Sequence, residues 1–237
     1  MFNAGRSQHL PVADAIRTGS PKVQQPHYTA AFFSAVARPD LAEALFRFRH
    51  ALFVRELGWS LAAEEDRERD EFDTDDATYC GLWTDEGMIG CFRAIACDRP
   101  YLARTLFPHM ATWRPFPVSA NYVEISRFGV LAAHRRASAV LYSLMLRFAL
   151  SRNAIALVAL AELAHERLLN RIGLSTSRYG DIQIAGFRED GGWILAVAGE
   201  IPMPRKLPPS FKALLELTQT MEIHDDALVF GRERLSA

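Results

Sequence analysis

Between residues 39 and 58, Leu41, Leu45, Phe48, Leu52 and Phe53 recur at helical spacing, after a Pro39-Asp40 start and before Gly58. That period predicts a helix with one apolar face. The following run, 64–76, is dense in charge and reads as a loop. Beyond it, apolar runs over 77–83 and 88–97 flank Asp85-Glu86-Gly87, the mark of a β-hairpin. Residues 98–120 hold Pro100, Pro108, Pro115 and Pro117, so they are expected to be mostly loop with one short helix. A strand over 121–130 comes next, then a long amphipathic helix over 136–152 built on Val140, Leu141, Leu144, Met145 and Phe148. An unbroken apolar run over 154–160 suits a central strand, and a helix over 162–172 stops at Gly173. Two more strands are expected over 182–185 and 193–198, and Pro208-Pro209-Ser210 opens a last helix through Phe211, Leu214 and Leu215. This order predicts an α/β fold with a single mixed, largely antiparallel sheet and helices on both faces. Residues 1–30, with Gly5, Pro11, Gly19, Pro21 and Pro26 and little periodicity, read as a flexible extension ahead of one domain over 31–237.

Composition narrows the class. Apolar residues make up 49% and charged residues 23% of the 237, a globular balance with enough length for a sizeable core. A formal net charge of -1 offers no global basic field for nucleic acid or a membrane surface. Cys80, Cys91 and Cys97 are an odd set without a C-x-x-C pair, which points to reduced thiols in a cytoplasmic protein and away from a metal site. No apolar h-region marks the first thirty residues, and no apolar run is long enough to insert in a bilayer.

Candidate chemistry lies in charges set among apolar residues. Arg49 and Phe53 are an i, i+4 pair, with Trp59 just beyond Gly58. An arginine beside two aromatics can clamp a carboxylate while the rings stack on a flat or cationic group, but the same rings also suit plain core packing. Asp70 and Asp73 belong to an acidic run that is solvated surface unless Arg49, Arg93 or Arg127 pairs with it. In a regular strand Glu124 and Ser126 face one way and Arg127 the other, so Glu124 and Arg127 either serve different sides of the sheet or are joined by a bulge.

Taken in order, Arg49, Phe53, Trp59, Asp70, Asp73, Arg93, Phe107, Glu124 and Arg127 resemble the signature of the acyl-homoserine-lactone (autoinducer) synthases. The segments FRFRHALFVRELGW, RDEFDTDDATYCGLW, GCFRAIA, LFPHM and NYVEISRFGV carry it, with a looser likeness through AHERLLNRIGLSTSRYGDI and ILAVAGEI. The resemblance implies a fold similar to the Gcn5-related N-acyltransferases and a two-step reaction. The amine of S-adenosylmethionine attacks an acyl thioester, and the methionine carboxylate then closes a lactone, releasing methylthioadenosine. Adenosylmethionine is then a substrate, and no cofactor or metal is implied. Position by position, Arg49, Phe53 and Trp59 would line the adenosylmethionine pocket, Phe107 and Phe128 would also meet substrate, and Asp70, Asp73, Arg93 and Arg127 would frame it as ion pairs. Glu124 would be the base that takes a proton from the amine.

The segment just past the strand over 121–130 bears on the donor. Acyl-CoA users typically carry a glycine-rich pyrophosphate loop at this point, whereas this chain has His134-Arg135-Arg136-Ala137-Ser138-Ala139. That favours an acyl carrier protein as partner, with acyl-CoA possible through Arg135 and Arg136. An acidic carrier would meet basic residues drawn from Arg147, Arg152, Arg167, Arg171 and Arg178, with Arg167, Arg171 and Arg178 as the patch. The acyl chain would lie among Leu141, Leu144, Met145, Leu157 and Ala159. Two alternatives stand beside this reading: an acyl-CoA-dependent N-acyltransferase on another amine, and a catalytically silent relative that binds a ligand or protein.

Overall fold

The computed structural model describes residues 27–227. Residues 1–26, most of the expected extension, lie outside them. The first strand, β1 (Thr29–Phe33), begins inside the stretch assigned to that extension, and its Ala30, Ala31, Phe32 and Phe33 are all buried. α1 (Pro39–Arg49) starts with proline in its first turn and does not continue as a regular helix. Its last turns widen into a π-helix over His50–Glu56, a change of winding that often accompanies functional sites.

The charged run expected to be loop contains a small hairpin, β2 (Ala63–Glu64) with β3 (Arg67–Glu68). β4 (Thr78–Thr84) and β5 (Gly87–Ala96) form the expected antiparallel hairpin, turning at Gly87, whose φ of 129° is open to glycine. α2 (Leu102–Leu106) is the short helix of the proline-rich stretch, followed by β6 (Tyr122–Val130), α3 (Ser138–Ser151), β7 (Ala156–Glu162) and α4 (Leu163–Arg171). β8 (Ser177–Arg178), β9 (Gln183–Phe187), β10 (Trp193–Pro202), α5 (Pro209–Glu216) and β11 (Glu222–Asp225) complete the described chain.

Among the described residues one sheet runs in the order β11-β1-β4-β5-β6-β7-β10-β8, with β9 also paired to β10. It is mixed and largely antiparallel, the parallel contacts being β1 with β11 and β6 with β7. Alternation along the strands makes two cores. Phe92, Ala94, Val123 and Ile125 meet α3 and α5 on one face, while Cys91, Ile95 and Tyr79 meet α1 and the π-helix on the other.

Two features of β6 shape the centre. Its parallel contact with β7 is confined to Tyr122↔Ala156, Val123↔Leu157 and Glu124↔Val158, although both strands run further. The sheet therefore parts beyond Glu124. On the other edge Arg93 pairs with Ser126 but Cys91 with Gly129, so Arg127 and Phe128 together oppose Phe92: a β-bulge. Gly129 then lets the π-helix approach. A Cβ there would lie 2.8 Å from Leu52 Cδ2 and 3.2 Å from the Phe53 ring, both on fully buried side chains. We expect Gly129→Ala to destabilise the fold by about 1–3 kcal/mol through overpacking. A lower urea midpoint with an unchanged slope would show it, and an unshifted midpoint would mean that the π-helix yields freely.

Candidate active site

Under the bulge, three arginines meet three carboxylates. Arg49 reaches down from the end of α1, its Nε donating to Glu68 Oε2 at 2.6 Å and its Nη1 to Asp73 Oδ1 at 2.7 Å. Arg93 on β5 donates to Asp70 and, at 3.0 Å, to Asp73 Oδ1. Arg127 donates through Nη2 to Glu68 Oε1 at 2.9 Å and Asp70 Oδ2 at 2.8 Å. The Tyr79 hydroxyl adds a bond to Asp73 Oδ1 at 3.1 Å. Arg49, Glu68 and Arg93 are no more than 1% exposed, so these charges persist in the core only because they cancel. Despite the cost of burial, the facing guanidiniums hold the Glu68 and Asp73 carboxyls below their ordinary range.

The bulge answers the parity question raised by the sequence. Arg127 takes φ 53°, a left-handed conformation costing on the order of 1–2 kcal/mol for a residue with a Cβ, and its guanidinium joins Glu124 on the α1 side of the sheet. Phe128, the other bulge residue, turns to the opposite face and packs on Phe92 and Tyr142. Glu124 lies apart from the ion pairs. Its Oε1 and Oε2 accept the backbone N–H groups of Ala103 and Leu102 at 2.7 and 3.1 Å, at the start of α2. Burial outweighs these bonds and the nearby arginines and pushes its pKa up to about 6.

Two cavities meet at the parting of β6 and β7. One, of about 840 Å³, lies on the α1 side and is lined by Trp59, Asp70, Phe107, Glu124, Ser126 and Arg127. The other, of about 380 Å³, is lined by Phe128, Tyr142, Met145, Leu157 and Ala159. Trp59, Ile125, Ser126, Arg127, Leu160 and Glu162 border both. Trp59 stacks on Phe53 at 5.1 Å between ring centres, and its buried Nε1 has no hydrogen-bond partner among the described residues.

Several expected positions differ. Arg49 and Phe53 are not cavity walls: Arg49 is a member of the ion-pair cluster, and Phe53 is fully buried behind Trp59 and against Gly129. Leu141 and Leu144 are fully buried core on α3, while Met145 and Leu157 border the smaller cavity. Arg178 is held by Glu166 through bonds of 2.7 and 2.6 Å, leaving Arg167 and Arg171 as the exposed members of the expected patch. Of the other arginines considered, Arg147 is bonded to Thr218 and the Leu215 carbonyl, and Arg152 to Asp225. Glu68 and Tyr79 also belong to the cluster, although no pattern in the sequence separates them from their neighbours.

A mixed sheet parted between two parallel strands, with a larger cavity edged by charged residues and a smaller apolar one meeting at the gap and a buried carboxylate of raised pKa beside it, defines an acyl-transfer class of protein. The family model described as autoinducer synthase matches residues 33–186. The chain belongs to that family and is an enzyme of the acyltransferase kind. It is 29% identical over 154 residues to an acyl-homoserine-lactone synthase of Aeromonas salmonicida, covering 62% of this chain and 74% of that relative. TofI, solved in a ternary complex with an inhibitor and MTA, is 29% identical with a TM-score of 0.67, covering 78% of this chain and 99% of that one. BjaI, a CoA-dependent acyl-homoserine lactone synthase solved with SAM and isopentyl-CoA, is 24% identical, covers 84% and 93% of the two chains, and at a TM-score of 0.71 shares the fold.

Removing one partner from the cluster leaves a buried charge uncompensated. Asp73→Ala is expected to cost about 3–5 kcal/mol in urea unfolding. Asp70→Asn and Arg127→Ala, at the cavity edge, should abolish product formation while circular dichroism still reports the native sheet; near-normal activity in either would remove that residue from the site. Because the Glu68 and Asp73 carboxyls titrate below their ordinary values of 4.5 and 3.8, the stability they contribute is complete above that range and is lost as pH falls through the depressed values. Acid unfolding followed by tryptophan fluorescence checks this.

Proposed function

We propose that the enzyme makes an N-acyl-homoserine lactone from S-adenosylmethionine, held in the larger cavity, and an acyl thioester whose chain enters the smaller one. The observation that carries this reading is Glu124: a nearly fully buried carboxylate, pushed up to about 6, in the wall of the larger cavity where β6 leaves β7. The α-amine of adenosylmethionine is largely protonated near neutral pH, and only its neutral form attacks. Glu124, directly or through a water, takes the proton as the nitrogen bonds to the thioester carbon. The oxyanion is met by backbone N–H groups of the bulge, and the thiolate leaves with a proton. The methionine carboxylate then attacks its own γ-carbon, and the positive sulfonium departs as methylthioadenosine. That step needs positioning more than acid or base, and Trp59, Phe107 and the Arg127 frame provide the walls for it.

An acyl carrier protein is the donor we favour. The segment ahead of α3 is a glycine-free 3-10 turn over Ala132–Ala137, and exposed Arg167 and Arg171 sit one turn apart on α4, whose Ala164, His165 and Glu166 border the smaller cavity. Such a pair suits an acidic carrier delivering its arm to that mouth. Exposed Arg135 and Arg136 offer phosphate contacts, which supports acyl-CoA as the competing donor. We place the reaction in the cytoplasm, where adenosylmethionine and acyl thioesters are made, and the free thiols Cys80, Cys91 and Cys97 accord with that compartment.

Incubation with adenosylmethionine and a panel of acyl carriers and acyl-CoAs should release methylthioadenosine; its absence with every donor would defeat the synthase reading. Glu124→Gln should slow acylation by about 10²–10⁴-fold. Since the base form is the active one, the native rate should fall about tenfold per pH unit below about 6. Arg171→Glu should weaken turnover with carrier-bound donors while leaving adenosylmethionine binding intact; equal turnover would rule the patch out.

A further inference from the structure

The turn between β9 and β10 is fastened to the segment that carries Trp59, and its side-chain link is Arg188, just past the matched family region. Arg188 Nη1 donates to the Leu57 carbonyl at 2.8 Å, beyond the last turn of the π-helix, where a helix end leaves carbonyls without partners of its own. Its Nη2 faces Glu162, the last residue of β7, at 3.3 Å. The main chain adds a bridge between Arg188 and Trp59, a bond from the Glu189 N–H to the Gly58 carbonyl at 2.8 Å and one from the Ser60 N–H to the Phe187 carbonyl at 3.3 Å. The indole itself has no comparable hold. It stacks on Phe53, but its buried Nε1 has no hydrogen-bond partner among the described residues. Gly58, at φ 63°, precedes it with the backbone freedom of glycine. The place of Trp59 therefore depends on what grips the chain beside it. Trp59 and Glu162 each border both cavities, so the guanidinium ties two parts of their common boundary together.

We propose that Arg188 is a positioning residue for acyl transfer: by tying Leu57 to Glu162 it holds Trp59 at the boundary of the two cavities, where the indole bars water from the thioester. The proposal rests on the synthase reading, in which the amine comes from the larger cavity and the thioester from the smaller. The carbonyl carbon must then lie where the two meet, and water entering there competes with the amine. In that side reaction the water oxygen bonds to the carbonyl carbon and the carbon–sulfur bond breaks. One water proton goes to the departing thiolate, leaving a free acid and a thiol with no methylthioadenosine. A site that keeps its wall in place suppresses this loss, and one whose wall drifts also misaligns the amine. Lysine is a poor substitute, because one ammonium cannot span the carbonyl and the carboxylate as the two arms of a guanidinium do.

The test follows thiol release and methylthioadenosine release in one reaction with an acyl thioester and adenosylmethionine. In the native enzyme the two should match. Arg188→Ala should lower methylthioadenosine release by roughly 10–100-fold and raise the thiol-to-methylthioadenosine ratio to at least about three, with Arg188→Lys in between. Arg188 is 31% exposed, so the substitution leaves the core intact, and the ratio counts turnovers whatever fraction of the enzyme is folded. Glu189→Ala, in the same turn, removes an exposed side chain and should leave rate and ratio as they are. A native ratio already well above one, or an Arg188→Ala ratio equal to the native one, overturns the proposal, even if both releases fall together. An Arg188→Lys enzyme indistinguishable from native shows that the two-armed link is not needed and overturns it as well. No methylthioadenosine from the native enzyme with any donor would instead overturn the synthase reading beneath it.

Discussion

The site depends on a charge balance. Arg49, Arg93 and Arg127 come from α1, β5 and β6; Glu68, Asp70 and Asp73 come from one short stretch around β3 and the turn after it. A segment so rich in acid has little apolar surface beyond Phe72 to bury and would remain solvated on its own. Three guanidiniums presented from already folded elements give it one defined place. Once there, it walls the larger cavity, and its pull on Arg127 offsets the left-handed backbone that makes the bulge. The same pull draws Arg127 onto the face where Glu124 sits, so the shape of the cavity and the electrostatics of its base have a common origin.

Glu124 illustrates how two opposing influences leave a carboxylate useful. Burial raises its pKa. Two amides of α2 and the nearby Arg93 and Arg127 draw it back, so that at about 6 it is mostly ionised near pH 7 yet still basic. The residue is thus tuned by α2, an element only five residues long, which also begins the segment leading to Phe107 in the cavity wall.

Much of this is legible in the residues alone. Apolar runs locate β4, β5, β6 and β7 within a few positions because the sheet is covered on both faces, and helical spacing does the same for α3 and α4. The alternation rule in β6 goes further: by showing that Glu124 and Arg127 cannot share a face in a regular strand, it names the bulge as one of two solutions. The features that escape a sequence reading are set by partners distant along the chain. β11 is polar, with alternate residues exposed, and is a strand only because β1 lies beside it. Glu68 is one acid among many in its run, and nothing local marks it as the one that two arginines enclose. Arg49 reads as a cavity wall because its spacing from Phe53 fixes a face but not a depth. Phe53 is buried behind Trp59, and Arg49 is buried among the ion pairs.

The order in which the strands enter the sheet carries a consequence for how the protein is made. The matched family region ends at residue 186, but β10 begins at Trp193, and it is β10 that pairs with β7, β8 and β9 on the far side of the gap. At the other edge, β1 acquires its parallel neighbour only from Glu222–Asp225. As the chain leaves the ribosome, the hairpin and the ion-pair cluster can assemble early, whereas both margins of the sheet must wait for roughly the last forty residues of the described chain. Until then β1 and β7 each present an unpaired edge, and the nascent protein is most exposed to mispairing at two strands that end up inside the finished sheet.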